Sequence, residues 1–178
     1  MVLISVGGLP GSGTSTVCEI LEERTGLEYI YAGRIFREMA EEKGMTLEEF
    51  STFCEKDDTV DRELDKRMME KAKRGDAILE GRMVGPLLKE EGIDGLKVYM
   101  HAPLDVRARR VMERDGGPLK ETMEKMSLRE KSERMRYNRY YGMDPTDKSH
   151  YDLVIDSSQI SPDEEADLII SNLKGVKE

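Results

Sequence analysis

The sequence has no tryptophan, two cysteines and two histidines, and aromatic side chains make up 6% of its 178 residues. Cys18 and Cys54 stand 36 residues apart, without the paired spacing of a thiolate metal site, and one possible pair of thiols does not make a disulfide-stapled scaffold. They are expected to be buried thiols in a reducing compartment. His101 and His150 are too few and too separated to suggest a zinc site. The scarcity of aromatics removes the stacking platforms on which single-stranded nucleic acid is held; Tyr137, Tyr140 and Tyr141 are the exceptions. No apolar run approaches the length of a membrane span. The run at 2–6 is too short for a signal peptide and has no basic residues before it. The expectation is a cytoplasmic protein with neither membrane nor nucleic acid as partner.

Hydrophobic residues amount to 38% and charged residues to 37%, and Leu, Ile, Val and Met recur at regular intervals. That supply supports one folded core, and the length suits one domain. The net charge of −9 is unevenly spread: residues 103–141 carry 11 Lys and Arg against 7 Asp and Glu, a local +4 that leaves −13 elsewhere. A basic segment in an acidic chain suits a small anionic ligand.

Short β-branched runs alternate with helical patterns, which predicts a βαβ series around a parallel sheet covered on both faces. The strands are expected at 2–6, 28–31, 77–79, 96–101 and 153–156. Helices are expected at 15–23, ended by Gly26, and at 33–42, ended before Gly44. The stretch 45–74 reads as two further helices, with Thr46 as N-cap and Glu49 three residues on. Residues 103–114 form another helix, Gly116-Gly117-Pro118 breaks it as a hinge, and 120–141 forms a long polar one. Ser161-Pro162-Asp163-Glu164 opens the last helix, with Pro at its first position.

The chemistry concentrates where the first strand meets the first helix. Gly8-Leu9-Pro10-Gly11-Ser12-Gly13-Thr14-Ser15-Thr16 is a Gly-rich turn whose backbone N–H groups would converge at the positive end of a helix dipole, as a phosphate requires. Gly8, Gly13 and Ser15 fit the G-x-x-x-x-G-K-[ST] pattern, but Thr14 occupies the lysine position. Ser15 would hold Mg²⁺ through its hydroxyl, partly through water. The missing cation must then come from arginines. Arg129, Glu133 and Arg136 lie at i, i+4 and i+7, on one helix face. Arg34 and Arg37 begin the helix after the second strand, and Arg82 follows the third in Glu80-Gly81-Arg82. At that strand end Glu80 would orient Arg82 or a magnesium-bound water. Ligands of an open parallel sheet gather at the carboxyl ends of its strands, which puts Arg37 and Arg82 at the edge that carries the loop.

Taken together, these residues resemble the nucleoside monophosphate kinases and, within them, the short archaeal-type cytidylate kinases. The loop is similar to that branch's phosphate loop, where Thr replaces Lys. Ala32-Gly-Arg-Ile-Phe-Arg37 resembles the segment that grips the monophosphate, which carries over to Arg37, and Glu80-Gly81-Arg82 resembles the Asp-Gly-Arg of longer bacterial relatives, which carries over to Gly81 and Arg82. Arg107-Ala-Arg-Arg110 is similar to the helix that leads into the ATP-holding lid, and Arg129, Glu133 and Arg136 are similar to an R-x-x-x-D-x-x-R, with Glu for Asp. Asp156-Ser-Ser158 resembles the turn beside the adenine.

The resemblance implies a three-layer α/β P-loop fold with a five-stranded parallel sheet, an acceptor-binding helical region at 33–74 and a mobile lid at 116–142. It implies that ATP with Mg²⁺ donates its γ-phosphoryl group to CMP, and to dCMP, in a monomeric enzyme. Residues 8–16, Arg107 and Arg110 would bind ATP; Arg37, Gly81, Arg82, Glu133 and Arg136 would bind the acceptor; and Ser15, Arg129 and Arg136 would act in transfer. Two alternatives stay open: a kinase of another small acceptor such as AMP or a sugar acid, and a nucleotide-binding regulator without turnover.

Overall fold

The computed structural model describes residues 2–54 and 59–173. Five strands, β1 (Leu3–Gly8), β2 (Glu28–Tyr31), β3 (Ala77–Glu80), β4 (Leu96–His101) and β5 (Leu153–Asp156), form one parallel sheet in the order β2-β3-β1-β4-β5. Every residue of β1 is buried, as expected of a central strand covered on both faces. The chain runs first to one side of β1 and then to the other. The switch leaves a crevice beyond the carboxyl end of β1.

Side-chain alternation along the strands divides the core in two. Leu3, Ile30 and Leu79 face one way, onto α2 (Ala32–Glu42), α3 (Leu47–Cys54), α4 (Thr59–Arg74) and α5 (Val84–Glu90), where Met39, Phe50, Met68 and Leu88 are buried. Ile4, Val6, Ile78 and Ile155 face the other way, onto α1 (Thr14–Thr25) and α8 (Pro162–Leu173), packing on Val17, Leu21 and Ile169. The remaining helices, α6 (Leu104–Asp115) and α7 (Leu119–Tyr141), follow β4 and run past the crevice. Among the described residues no helix is long and apolar enough to cross a membrane.

The expected caps form. Gly26 ends α1 at φ 71°, a left-handed conformation that glycine adopts at little cost. Thr46 and Glu49 bond each other's backbone N–H groups at 3.2 and 2.8 Å, and Ser161 and Glu164 do the same at 3.3 and 2.7 Å ahead of α8.

Three expectations need correction. Strand β1 extends through Gly7 and Gly8, which pair with Tyr99 and Met100 of β4, so the turn begins two residues later than the glycines suggested. Helix α5 was not foreseen: its first five residues, Val84 to Leu88, are all buried and so lack the polar positions that reveal a helical period. Gly85 lies in it because a Cβ there would come 2.6 Å from the Tyr151 ring. Cys54 is only half-buried, whereas Cys18 is buried under the sheet.

Candidate active site

The glycines of the loop after β1 are demanded by close approaches. A Cβ on Gly8 would lie 2.6 Å from the Met100 carbonyl oxygen, and one on Gly11, at φ 80°, would lie 2.5 Å from that of Arg107. The backbone is thus pressed onto β4 and α6, and Gly13, at φ 87°, turns it into α1. The Ser12 hydroxyl is buried in this cradle and has no partner among the described residues. An orphaned polar atom beside convergent N–H groups suits a bound anion.

Thr14, at the lysine position, donates its hydroxyl hydrogen bond to Glu80 at 2.5 Å. Ser15 donates to the same carboxylate at 2.9 and 3.1 Å, and the Tyr29 hydroxyl donates to its other side. Burial and the Glu80 carboxylate push the Tyr29 phenol well above its ordinary range, so it remains a donor. Glu80 therefore gathers the hydroxyls of the loop instead of orienting Arg82. A tyrosine on a strand is an ordinary core residue until its partner is seen, so Tyr29 carries no signal of this role in the sequence.

Arg82 turns to the loop and to α7. It donates to the Gly8 carbonyl at 2.5 Å and to Glu133 at 2.9 Å, while Arg129 donates to the other oxygen of Glu133 at 2.9 Å. Glu133 is 8% exposed. Burial alone would raise its pKa, but the two guanidiniums outweigh that and hold it below the usual carboxylate range. The i, i+4 pairing read from sequence is real, and Arg82 is its third member.

Two of the four arginines of α6 meet the loop, in different ways. Arg107, 5% exposed, donates to the carbonyls of Ala102 at 2.9 Å and Pro10 at 3.2 Å and to Glu130 of α7 at 2.5 Å. It braces the loop from behind and does not line the cleft. Arg110 does line it, bonded to the Gly11 carbonyl at 3.1 Å and to the Ser157 hydroxyl and carbonyl at 3.0 and 2.7 Å. Arg136 is not bonded to this cluster; its Nε lies 3.4 Å from Asp61 of α4 and has no hydrogen-bond partner among the described residues. Arg37 lies over the Tyr31 ring, 5.6 Å from its centroid, and bonds its hydroxyl at 3.1 Å. No bond links Arg37 to the loop cluster. Asp61 and Glu165 carry no signal of a site in the sequence, because each is a common surface type until the fold gives it a partner or buries it, whereas Ser157 lies in the Asp156-Ser-Ser158 turn expected beside the adenine.

Two cavities flank the loop. One, of about 460 Å³, runs from Gly11–Thr16 past Arg110 to Ile160, Pro162 and Glu165. The other, of about 420 Å³, is lined by Leu9, Arg82, Glu133 and Arg134. Arg82 is thus placed between the loop and the second cavity. No group of three or more His, Cys, Asp or Glu side chains suited to a metal occurs among the described residues. A hydroxyl and one carboxylate, Ser15 and Glu80, nevertheless fit a hard cation that keeps most of its shell as water and phosphate oxygens.

A profile described as the cytidylate kinase-like family matches residues 3–159. The chain belongs to this family. It is 51% identical over 170 residues to the cytidylate kinase of Methanopyrus kandleri, covering 92% of this chain and 88% of that one. It is 46% identical over 162 residues to the cytidylate kinase of Pyrococcus furiosus, covering 91% and 83%. Among solved structures, an uncharacterized protein from Eubacterium ventriosum superposes with a TM-score of 0.76 at 20% identity, covering 98% of this chain and 99% of that one. Shikimate kinase from Acinetobacter baumannii superposes at 0.65 and 17% identity, covering 99% and 95%. At such identities the structures speak for the fold alone.

The structure shows which cations surround the loop that lacks its lysine. Glu80, Thr14 and Ser15 form a neutral-to-acidic wall under the loop, and the cations stand around it: Arg82 at Gly8, Arg110 at Gly11, and Arg129 at the far side of Glu133.

Proposed function

We propose that this protein is a cytidylate kinase that transfers the γ-phosphoryl group of ATP to CMP, and to dCMP, giving ADP and the diphosphate. Its curated relatives carry that name across nearly the whole chain. The observation that carries the reading is the joining of the phosphate loop to a second cavity through Arg82, which bonds Gly8 on one side and Glu133 on the other. Phosphoryl transfer needs two anionic groups aligned at such a junction, with water excluded and the spreading charge met by fixed donors.

In this reading the backbone of residues 8–16 cradles the triphosphate, and Arg110 holds its place beside the nucleoside. Ser15 would contact Mg²⁺ directly and Glu80 through water; the ion would neutralise charge on the phosphate oxygens. Arg37, Arg82 and Arg136 grip the acceptor phosphate and nucleoside, and Arg129 reaches the moving phosphoryl group from the same helix face. The region 33–74 receives the acceptor, and 116–142 closes over both nucleotides so that the acceptor rather than water takes the phosphoryl group. One chain supplies every group that this reading uses, which is compatible with a monomeric enzyme.

A coupled ADP-release assay over CMP, dCMP, UMP, AMP and shikimate tests this reading. Turnover should be highest with the cytosine nucleotides and fall about 100-fold or more in Arg136→Ala, as expected when a charged contact to a phosphoryl group is lost. Equal use of AMP would overturn the acceptor assignment. No turnover above that variant would leave a nucleotide-binding protein without transfer activity.

A further inference from the structure

Three acidic residues open α8, and two have ordinary structural partners. Asp163 pairs with Arg24 of α1, and Glu164 closes the capping box with Ser161. Both are exposed, and both already favour the positive end of the helix dipole. Glu165 differs: it is 2% exposed, lines the cleft that begins at the phosphate loop, and its carboxyl makes no hydrogen bond or ion pair with any described residue. Arg110, whose charge acts on it, bonds Gly11 and Ser157 and makes no hydrogen bond to it. Its oxygens are not among the fully buried unpaired atoms, so they open on the cleft, where a ligand could complete them.

With the triphosphate on Gly11–Thr16, the far end of the cleft falls to the base. That end is lined by Val111, Ile160 and Pro162, an apolar setting for a flat ring, and Glu165 is its unpaired polar group. We propose that Glu165 selects the phosphoryl donor by reading the amino edge of adenine, accepting from the exocyclic N6 amine and donating to ring N1. Burial pushes this carboxyl up to about 7, with Arg110 opposing, so the neutral form is accessible near neutral pH. A neutral acid both accepts and donates, which matches the N6–H and N1 pair. Guanine presents N–H groups at N1 and N2 and would call for a carboxylate instead. The inference rests on the kinase reading for the donor's orientation but not on the identity of the acceptor.

Direct binding decides between these cases, since it needs no acceptor. Calorimetry would compare ATP, GTP and purine riboside triphosphate, which keeps the ring but lacks the amine, on the wild type, Glu165→Gln and Glu165→Ala. The wild type should bind ATP about tenfold or more tightly over the amine-free analogue, the share of one hydrogen bond to a buried partner. Glu165→Ala should erase that ratio, because ATP loses the bonds at both N6 and N1 while the analogue, which keeps N1, loses only the second and weakens less. Glu165→Gln, which also donates and accepts, should keep the ratio within a few-fold. Equal weakening of ATP and analogue in Glu165→Ala would mean that the residue only packs α8 on α1, and a wild type that prefers GTP would overturn the adenine assignment. A wild type without preference between ATP and the analogue would overturn it as well. If the acceptor proved not to be CMP, these ratios would stand.

Discussion

Asp65, on α4, holds its carboxyl out of water against the Tyr141 hydroxyl, which donates to it at 2.9 Å. Burial raises its pKa from 3.8 to about 7; the Tyr141 bond works against the rise and the Asp61 charge adds to it. Because the folded value lies above the unfolded one, the folded state binds the extra proton between about pH 4 and 7. The stability present at the lower end of that window is therefore lost as the pH rises through it, with an upper bound on the order of 4 kcal/mol. Asp65→Asn keeps an acceptor for Tyr141 and carries no charge. Urea midpoints should show the variant gaining on the wild type from pH 4.5 to pH 8, with most of the gain complete near pH 7. A difference that stays constant with pH would mean that this carboxyl does not titrate with folding.

At the scale of elements, the loop between β1 and α1 is fixed by what surrounds it. Gly11 combines φ 80° with an approach of 2.5 Å from a would-be Cβ to the Arg107 carbonyl, and Arg107 is itself pinned by Ala102, Pro10 and Glu130. A methyl group there cannot be absorbed by a flexible neighbour. Gly11→Ala should weaken ATP binding by about 100-fold, because the cradle must shift by more than hydrogen-bond tolerance, and cost about 2 kcal/mol of stability. Calorimetry with ATP and a urea titration would show it; unchanged binding would mean that the loop moves freely off α6. The same loop explains what the sequence could reveal. Glycine spacing, caps and β-branched runs are local signals, so the sheet, the loop and most helices were legible. Helix α5 was not, because burial on all sides removes the period. The partners of Arg107 and Glu80 were not legible either, since Pro10 lies 97 residues from Arg107 and Thr14 lies 66 from Glu80. Spacing along a helix paired Arg129 with Glu133, but only tertiary contact supplies Arg82.

Across the whole molecule, α7 is the element that joins the parts. Glu130 meets Arg107 of α6, Glu133 meets Arg82 beyond β3, Arg136 meets Asp61 and Tyr141 meets Asp65 on α4, and Tyr137 enters the core. These contacts fall in its second half. The first half has Met126 as its buried residue, while Leu128 is 70% exposed. A helix anchored at one end opens most readily at the other, where few buried contacts resist local unfolding. Hydrogen exchange of the free protein should therefore be faster in 119–128 than in 129–141, and slowest in β1 and β4 between the two cores. ATP alone should slow the loop and α6, and CMP alone should slow 129–141 and α4, which the proposed function puts on the acceptor side. With both nucleotides, protection should spread into 119–128, since closure over two ligands orders the part that neither one touches by itself. A free protein in which 119–128 exchanges as slowly as β1 would rule out that motion, and protection by ATP alone would tie it to the donor rather than to the pair.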